Sequence, residues 1–371
     1  MSGTSGLFVG MTCANVILLI LNTIGNFLVI QAIVKTHRLR TASNFLVANL
    51  ALCDLLSPLL NIPVDISVQL SSRSWHYGPA VCRVIWPLAT MMTTSSALTL
   101  VAISIDRSRA LRHPFVTKLT TCQSIGIVLL VHTISLLAVL PYSAASVVID
   151  GKCKEDWSVS IFTSRQYTLI IFHIQYLIPL IILGSVYGRA ARYLRRCTLS
   201  LVKLQENEYA SVAQQEPRSM RRRRSHLVKS PSRQRSLSLR REQNTRVMKM
   251  FAVVVTVFAF LTLPNNVRWL VHDFGNHSQY PHEDLVSFLC TFCTYLNCFA
   301  NPIIYGTFSK DYKVSFLRVL TLGRYGESFR ASAPSQARLS RLPSSFRTHA
   351  KRSFNHFRAD ANGNDVVGTM V

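Results

Sequence analysis

Seven apolar runs occupy most of this 371-residue chain, at about residues 8–34, 43–70, 80–106, 122–144, 166–190, 248–272 and 284–307. At 1.5 Å per helical residue, each is long enough to cross a bilayer core of about 30 Å. Backbone N–H and C=O groups find no partner in lipid, so such a run must close its own hydrogen bonds as a helix. The third run, from Cys82 to Pro114, reads CRVIWPLATMMTTSSALTLVAISIDRSRALRHP. Cys82 to Arg107 would span about 37 Å as a helix. Thr93, Thr94, Ser95, Ser96, Thr99 and Ser104 interrupt it, so this wall faces other helices as well as lipid.

Charge distribution sets the topology. The formal net charge is +24, with 49% apolar and 16% charged residues, which is too apolar for a soluble domain of this size. A basic chain can signal nucleic-acid binding, but no basic stripe with interleaved aromatics is found, so no nucleic-acid partner is expected. The bases sit between the apolar runs instead. Connection 35–42 holds Lys35, Arg38 and Arg40, and 107–121 holds Arg107, Arg109, Arg112 and Lys118. Connection 191–247 contains the Arg221–Arg224 run, and the tail is also basic. The opposite connections carry Asp150, Glu155, Asp156, Asp273, Glu283 and Asp284. The Lys/Arg asymmetry places the N-terminus outside and the C-terminus in the cytosol.

The expected divisions are a short extracellular N-terminus (1–7), a bundle (8–307), a membrane-surface helix (308–320) and a disordered basic tail (321–371). No basic n-region or small-residue cleavage site precedes the first run, which reads as a retained span. Residues 197–245 are rich in Arg, Ser and Gln and are expected to be disordered in the cytosol. Their RQRS and KSPS stretches are either phosphorylation sites or merely solvated. Ser309–Leu320 alternates Lys310, Lys313 and Arg318 with Tyr312, Phe316 and Leu317, the pattern of an amphipathic helix on the inner leaflet. Nine cysteines, mostly in apolar runs, form no disulfide scaffold. Cys290 and Cys293 make a CxxC without a second ligand pair, so no metal site is expected there.

Ionisable residues within a bilayer are functional candidates by default. Asp54 lies mid-run in NLALCDLL, with Ser96 in the third run and Asn297 and Asn301 in the seventh. Together they suit either a small cation held by Asp54 and neutral oxygens or a hydrogen-bonded bridge without an ion.

The runs carry an ordered series of motifs. These are Gly25-Asn26, NLALCD at Asn49–Asp54, WHYGPAVC at Trp75–Cys82 and DRSRALRHPF at Asp106–Phe115. Pro179 with Tyr187, Phe258 with Pro264, and NPIIY at Asn301–Tyr305 complete it. In this the chain resembles a rhodopsin-like (class A) G protein-coupled receptor across about residues 8–320. The resemblance implies an all-α membrane protein, a seven-transmembrane helix bundle with a short amphipathic eighth helix. It implies a disulfide between Cys82 and Cys153, placed where oxidation is allowed, although two free thiols would suit the bare sequence too. It also implies that Asp106 restrains Arg107 at rest and that a heterotrimeric G protein meets Arg107 and Phe115 on activation, helped by Tyr187 and Tyr305. Pro179, Pro264 and Pro302 each remove a helix hydrogen bond and mark levers or simple kinks.

The sequence departs from the family pattern at Ser108 (usually tyrosine), His132 (usually tryptophan), Thr262 (usually tryptophan) and Asn244 (often an acid). Lacking that acid and the Thr262 tryptophan, restraint of Arg107 is expected to be weak and basal signalling raised.

For the ligand, Ala89 stands where amine receptors keep an aspartate, and Tyr295 where opsins keep the retinal lysine, so neither anchor exists. Asp65 and Asp273 near the outer ends of their runs, with Glu283 and Asp284, make an acidic mouth suited to an arginine; each is a ligand contact or a solvated charge. WHYGPAVC and the acid at Asp273 are similar to peptide receptors of the neuropeptide Y and RF-amide groups. A cationic or amidated short neuropeptide is therefore the expected ligand. Trp269, Gln175, Tyr295, Tyr77, Trp86 and Phe172 are candidate pocket residues, or core. His272, His277 and His282 bind zinc, sense pH or are merely solvated. Asn276-His277-Ser278 is a glycosylation sequon.

The expectation is a plasma-membrane receptor, not an enzyme, with no cofactor beyond an allosteric sodium ion. Its expected partners are an extracellular peptide, a heterotrimeric G protein, arrestin and receptor kinases at the cytosolic loop and tail, and membrane lipid. Alternatives are a receptor for a lipid or other non-peptide ligand and a seven-helix transporter or channel.

Overall fold

The computed structural model describes residues 2–71, 73–113, 119–158, 160–213, 231–275 and 283–321. The helices are α1 (Ser2–Lys35), α2 (Ala42–Leu70), α3 (Gly78–Arg112), α4 (Thr121–Ala145), α5 (Ser164–Phe172), α6 (Ile178–Ala213), α7 (Pro231–Phe274), α8 (Glu283–Phe308) and α9 (Lys310–Leu320). Seven segments among them are long and apolar enough to cross a membrane. One of these, Ser164–Cys197, runs through α5, a π-helical turn at His173–Leu177 and the first part of α6.

Local sequence sets where the helices begin. Thr120 and Thr163 each form a capping box, with Gln123 and Gln166 returning a hydrogen bond to the cap. Each box satisfies two otherwise orphaned backbone donors. The π-helical turn lies just ahead of Pro179, which has no N–H to return to the Gln175 carbonyl. The wider turn re-routes hydrogen bonding there, at a proline expected to mark a lever or a simple kink.

Packing follows chain order. Neighbours α1 and α2, α2 and α3, and α3 and α4 are in contact, and α8 returns against α1 and α7. The largest core lies around Val29, Leu46, Leu50, Leu100, Ile103, Leu183, Phe251, Val254 and Tyr305. A smaller cluster of Leu18, Ile62 and Tyr295 lies apart from it. Leu129, Leu130 and Leu137 on α4 remain exposed, an apolar face suited to lipid. Gly25 permits one close crossing, because a Cβ there would meet Pro302 at 3.1 Å.

Three features differ from expectation. Helix α1 begins at Ser2, ahead of the start near residue 8 expected for the first run. Residues 197–213 and 231–245, expected to be disordered, continue α6 and precede the sixth span as helix. Leu, Lys, Gln and Glu at 201–206 are strong helix formers, and a helix already nucleated in the membrane extends through them. A β-hairpin was not foreseen: β1 (Ser146–Ile149) pairs antiparallel with β2 (Lys152–Glu155) through Asp150-Gly151. Both turn residues have positive φ, 52° and 67°, as a two-residue type I′ turn requires. Cys153 on β2 is disulfide-bonded to Cys82 on α3, and Trp75 N donates to Gly151 O at 2.7 Å.

Helix α9 appears where the amphipathic pattern placed it. Tyr312 and Ser315 are buried against the bundle, and Ser315 Oγ lies 2.8 Å from Thr36 Oγ1. Val314 and Leu320 stay exposed.

Candidate functional site

Three tiers of polar and aromatic residues lie along the bundle. In the outer tier, half-buried Asp65 accepts from Trp86 Nε1 at 3.1 Å. Trp86 packs against Trp75, with ring centroids 5.2 Å apart. Tyr295 is buried in the neighbourhood of Asp65 and Asn61.

Asp273 was expected to be accessible, but it is 9% exposed. Its Oδ2 accepts from Ser164 Oγ at 3.1 Å and from Thr168 Oγ1, and Oδ1 lies 3.0 Å from His272 Nδ1. Arg165 Nε donates to the Asp273 carbonyl at 2.8 Å. The hydroxyls on the first turns of α5 thus cap one carboxylate oxygen, Oδ2. Gln175 is likewise engaged, donating to Thr94 Oγ1 at 2.6 Å and to Thr90 O at 3.3 Å. Trp269 is 37% exposed, with the Arg268 guanidinium 4.4 Å above its ring. Asp284 pairs with Arg73 across the rim.

Glu155 on β2 was missed as a site residue. It lies within electrostatic reach of Asp273 and His272, and its Oε2 accepts from Trp157 Nε1 at 2.9 Å. Though Glu155 is exposed as a residue, the protein around its carboxyl group raises its pKa above the ordinary value, and the Trp157 hydrogen bond opposes that rise. The Asp150-Gly151 turn signal would have placed Glu155 on a strand leading back over the bundle.

The middle tier centres on Asp54, which is 1% exposed. Ser96 Oγ donates to its Oδ1 at 2.7 Å, and Asn301 Nδ2 to its Oδ2 at 2.6 Å. Asn22 Nδ2, also missed, donates to Asp54 O at 2.9 Å. Asn297 and Asn301 keep buried Oδ1 atoms with no hydrogen-bond partner among the described residues. The buried Asp54 carboxylate, with the Ser96 hydroxyl and the Asn301 amide bonded to it, offers hard oxygens of the kind that suit a small cation such as sodium; no hydrogen bond joins Asn297 to them among the described residues.

Beside it, His132 stands between Asn49 Oδ1 (Nε2, 3.0 Å) and Ser95 Oγ (Nδ1, 3.3 Å), and Asn49 Nδ2 donates to Thr99 Oγ1 at 2.9 Å. The departure from tryptophan thus yields a polar strut joining α2, α3 and α4. Thr262 Oγ1 donates to Phe258 O at 2.7 Å, just ahead of Pro264. Phe258 packs against Tyr176, whose hydroxyl donates to Ala259 O at 2.9 Å.

In the inner tier, Arg107 Nη2 donates to Asn44 Oδ1 at 3.1 Å, while Nε lies 3.8 Å from Asp106 Oδ2. The guanidinium sits 5.9 Å from the Phe251 ring centroid. Tyr187 OH lies 3.1 Å from Ser104 Oγ, and Tyr305 packs between Phe251 and Tyr312. Ser108 keeps a buried hydroxyl with no hydrogen-bond partner among the described residues. Phe115, Asn276, His277 and His282 lie outside the described residues, as does the side chain of Asn244.

Comparison with known proteins adds two findings. Residues 25–305 match the model of the seven-transmembrane receptors of the rhodopsin family. Neuropeptide FF receptor 1 of Rattus norvegicus is 27% identical over 322 residues, covering 82% of this chain and 68% of that protein.

Proposed function

The chain belongs to the rhodopsin family of seven-transmembrane, G protein-coupled receptors, and from that premise we propose that it responds to a short extracellular peptide bearing an arginine. The family is one of receptors embedded in the membrane by several spans, and the transporter reading falls with the match. The observation that carries the ligand class is the acidic outer tier: Asp273 and Glu155 stand in electrostatic reach of each other, and Asp65 lies among aromatic rings. A guanidinium offers paired donors to carboxylates and stacks on aromatic faces, so it suits this lining. Similarity to a receptor named for a neuropeptide supports the same choice.

The N-terminus is outside and the tail cytosolic, by the distribution of Lys and Arg. The peptide displaces Ser164 and Thr168 from Asp273 and so shifts the outer ends of α5 and α7 against each other. Pro264 lets α7 bend, and Phe258 with Tyr176 carries the shift inward. Arg107 then leaves Asn44 and Asp106, and the inner ends admit a G protein, on which nucleotide exchange occurs. Asp54, Ser96, Asn297 and Asn301 hold a sodium ion that favours the resting packing. Arrestin and receptor kinases use the basic inner loop and tail, and α9 lies on inner-leaflet lipid.

A library of short Arg-containing peptides, applied to cells expressing the chain with a second-messenger readout, tests this. Activation is expected, and Asp273→Arg is expected to abolish it while surface expression persists. Silence across the library, or unchanged potency in Asp273→Arg, would reject the reading.

A further inference from the structure

Arg268 lies on α7, four residues beyond Pro264 and five before Asp273, in the outer part of the sixth span. It is half-buried. An arginine held at membrane depth is costly, and natural chains pair it or leave it for function. Yet no carboxylate oxygen among the described residues lies within ion-pair distance of this one. Its polar contacts run from Nε and Nη2 to Asn265 Oδ1, both at 3.4 Å, long bonds to a neutral amide on its own helix.

The surrounding cations are disposed otherwise. Arg73 pairs with Asp284, and Arg165 serves the Asp273 carbonyl and lies over the Phe274 ring at 5.8 Å. The charge of Arg268 is felt by Glu283 and Cys290 at the outer end of α8, neither of them paired with it. Its plane is held 4.4 Å from the centre of the Trp269 ring, and that ring is itself 37% exposed. Nε and Nη2 face Asn265, while Nη1 makes no hydrogen bond among the described residues, so the far end of the fork is left to receive a carboxylate.

We propose that the ligand bears a carboxylate as well as its arginine, and that Arg268 receives the carboxylate against Trp269 while the acids of the outer tier receive the arginine. The inference rests on the peptide reading above. It makes the outer mouth bipolar rather than simply acidic, and it would select against ligands that are purely cationic. An amidated peptide supplies the group from an Asp or Glu side chain; an unamidated one can supply it from its C-terminus.

Both sources can be separated on the full chain in cells. Around one active Arg-containing sequence, four synthetic peptides are compared: C-terminal carboxylate or carboxamide, each with or without a single acidic side chain. On the wild type, the peptide lacking any carboxylate is expected to be roughly tenfold or more weaker than its best counterpart, the discrimination of a lost charged partner. The pair that differs identifies the source. In Arg268→Gln that difference vanishes, and in Arg268→Lys it shrinks. Equal potency of all four peptides on the wild type, or a preference that survives Arg268→Gln at normal surface expression, overturns the inference and leaves the peptide reading standing. If no Arg-containing peptide acts at all, both fall.

Discussion

Arg107 Nη2 donates to Asn44 Oδ1 at 3.1 Å, tying the inner end of α3 to the first turn of α2. Asn44 is neutral, and it also donates to Leu39 O at 3.0 Å, so it is fixed by the short turn before α2. Asp106, the adjacent acid, stands 3.8 Å from Arg107 Nε, and that nitrogen is buried without a hydrogen bond. The arginine is thus held by an amide and a distant carboxylate.

That arrangement predicts the response of ligand-free signalling. Asn44→Ala removes one hydrogen bond to a charged group, worth about 1.5 kcal/mol, and should raise basal nucleotide exchange several-fold, up to about tenfold. Asn244→Glu, which supplies an acid near the inner end of the sixth span, should lower it. Exchange in isolated membranes, normalised to receptor number, measures both; no drop in Asn244→Glu rejects weak restraint.

The donor set around Asp54 predicts a sodium effect. Raising sodium at constant ionic strength should weaken agonist binding to the wild type, if the ion proposed at Asp54 favours the resting packing. Asp54→Asn should flatten that dependence. Agonist competition binding in sodium and in N-methylglucamine buffers reads the difference.

Glu155 predicts a pH dependence. Burial of its carboxyl raises its pKa, so as external pH falls it is neutralised earlier than an ordinary glutamate. Potency of an Arg-containing peptide should therefore decline with acidification, with Asp273 and His272 beside Glu155 shaping the curve. Glu155→Gln should be less potent at neutral pH and flatter on acidification. The stability term has the opposite sense: the folded state favours the protonated acid, so this contribution is present at low pH and lost as pH rises through the raised value. Glu155→Gln should accordingly not lower the melting temperature at neutral pH.

The disulfide joins residues 71 apart in the chain. Loop-closure reasoning assigns such a link about 4 kcal/mol. Cys82→Ser or Cys153→Ser should strongly reduce surface display and peptide binding, and the double variant should do no worse than either single one. Flow cytometry of an epitope-tagged chain tests this, and additive losses would speak against a shared bond.

Spans and motif positions were legible because they rest on local pattern. A hydrophobic run needs no partner to announce a helix, and Asp54 stands out in apolar sequence. Contacts set by rotamers and by helix phase were not legible. Asp273 looks accessible in sequence, yet the hydroxyls of Ser164 and Thr168 cover it from a helix more than a hundred residues away. His132 reads as a missing tryptophan, and its polar strut depends on Asn49 and Ser95 reaching one point from two other helices. Arg268 was overlooked because it lies among outer residues where acids drew attention, and what marks it is a partner it lacks. The hairpin did carry a signal in Asp150-Gly151, masked by the helical character of everything around it.

The wide turn at His173–Leu177 has a consequence for the whole fifth span. Each residue of an α-helix advances about 100° around its axis, so a turn that accommodates one extra residue offsets the faces before and after it by about that angle. Gln175, inside the turn, and Tyr187, three turns further in, therefore do not share the angular relation that their spacing in the chain suggests. Deleting one residue within 173–177 would restore the regular winding at the cost of rotating either the outer mouth or the inner gate out of register with α3. The irregularity acts as a phase adjuster, letting one helix present suitable side chains at both ends of the membrane.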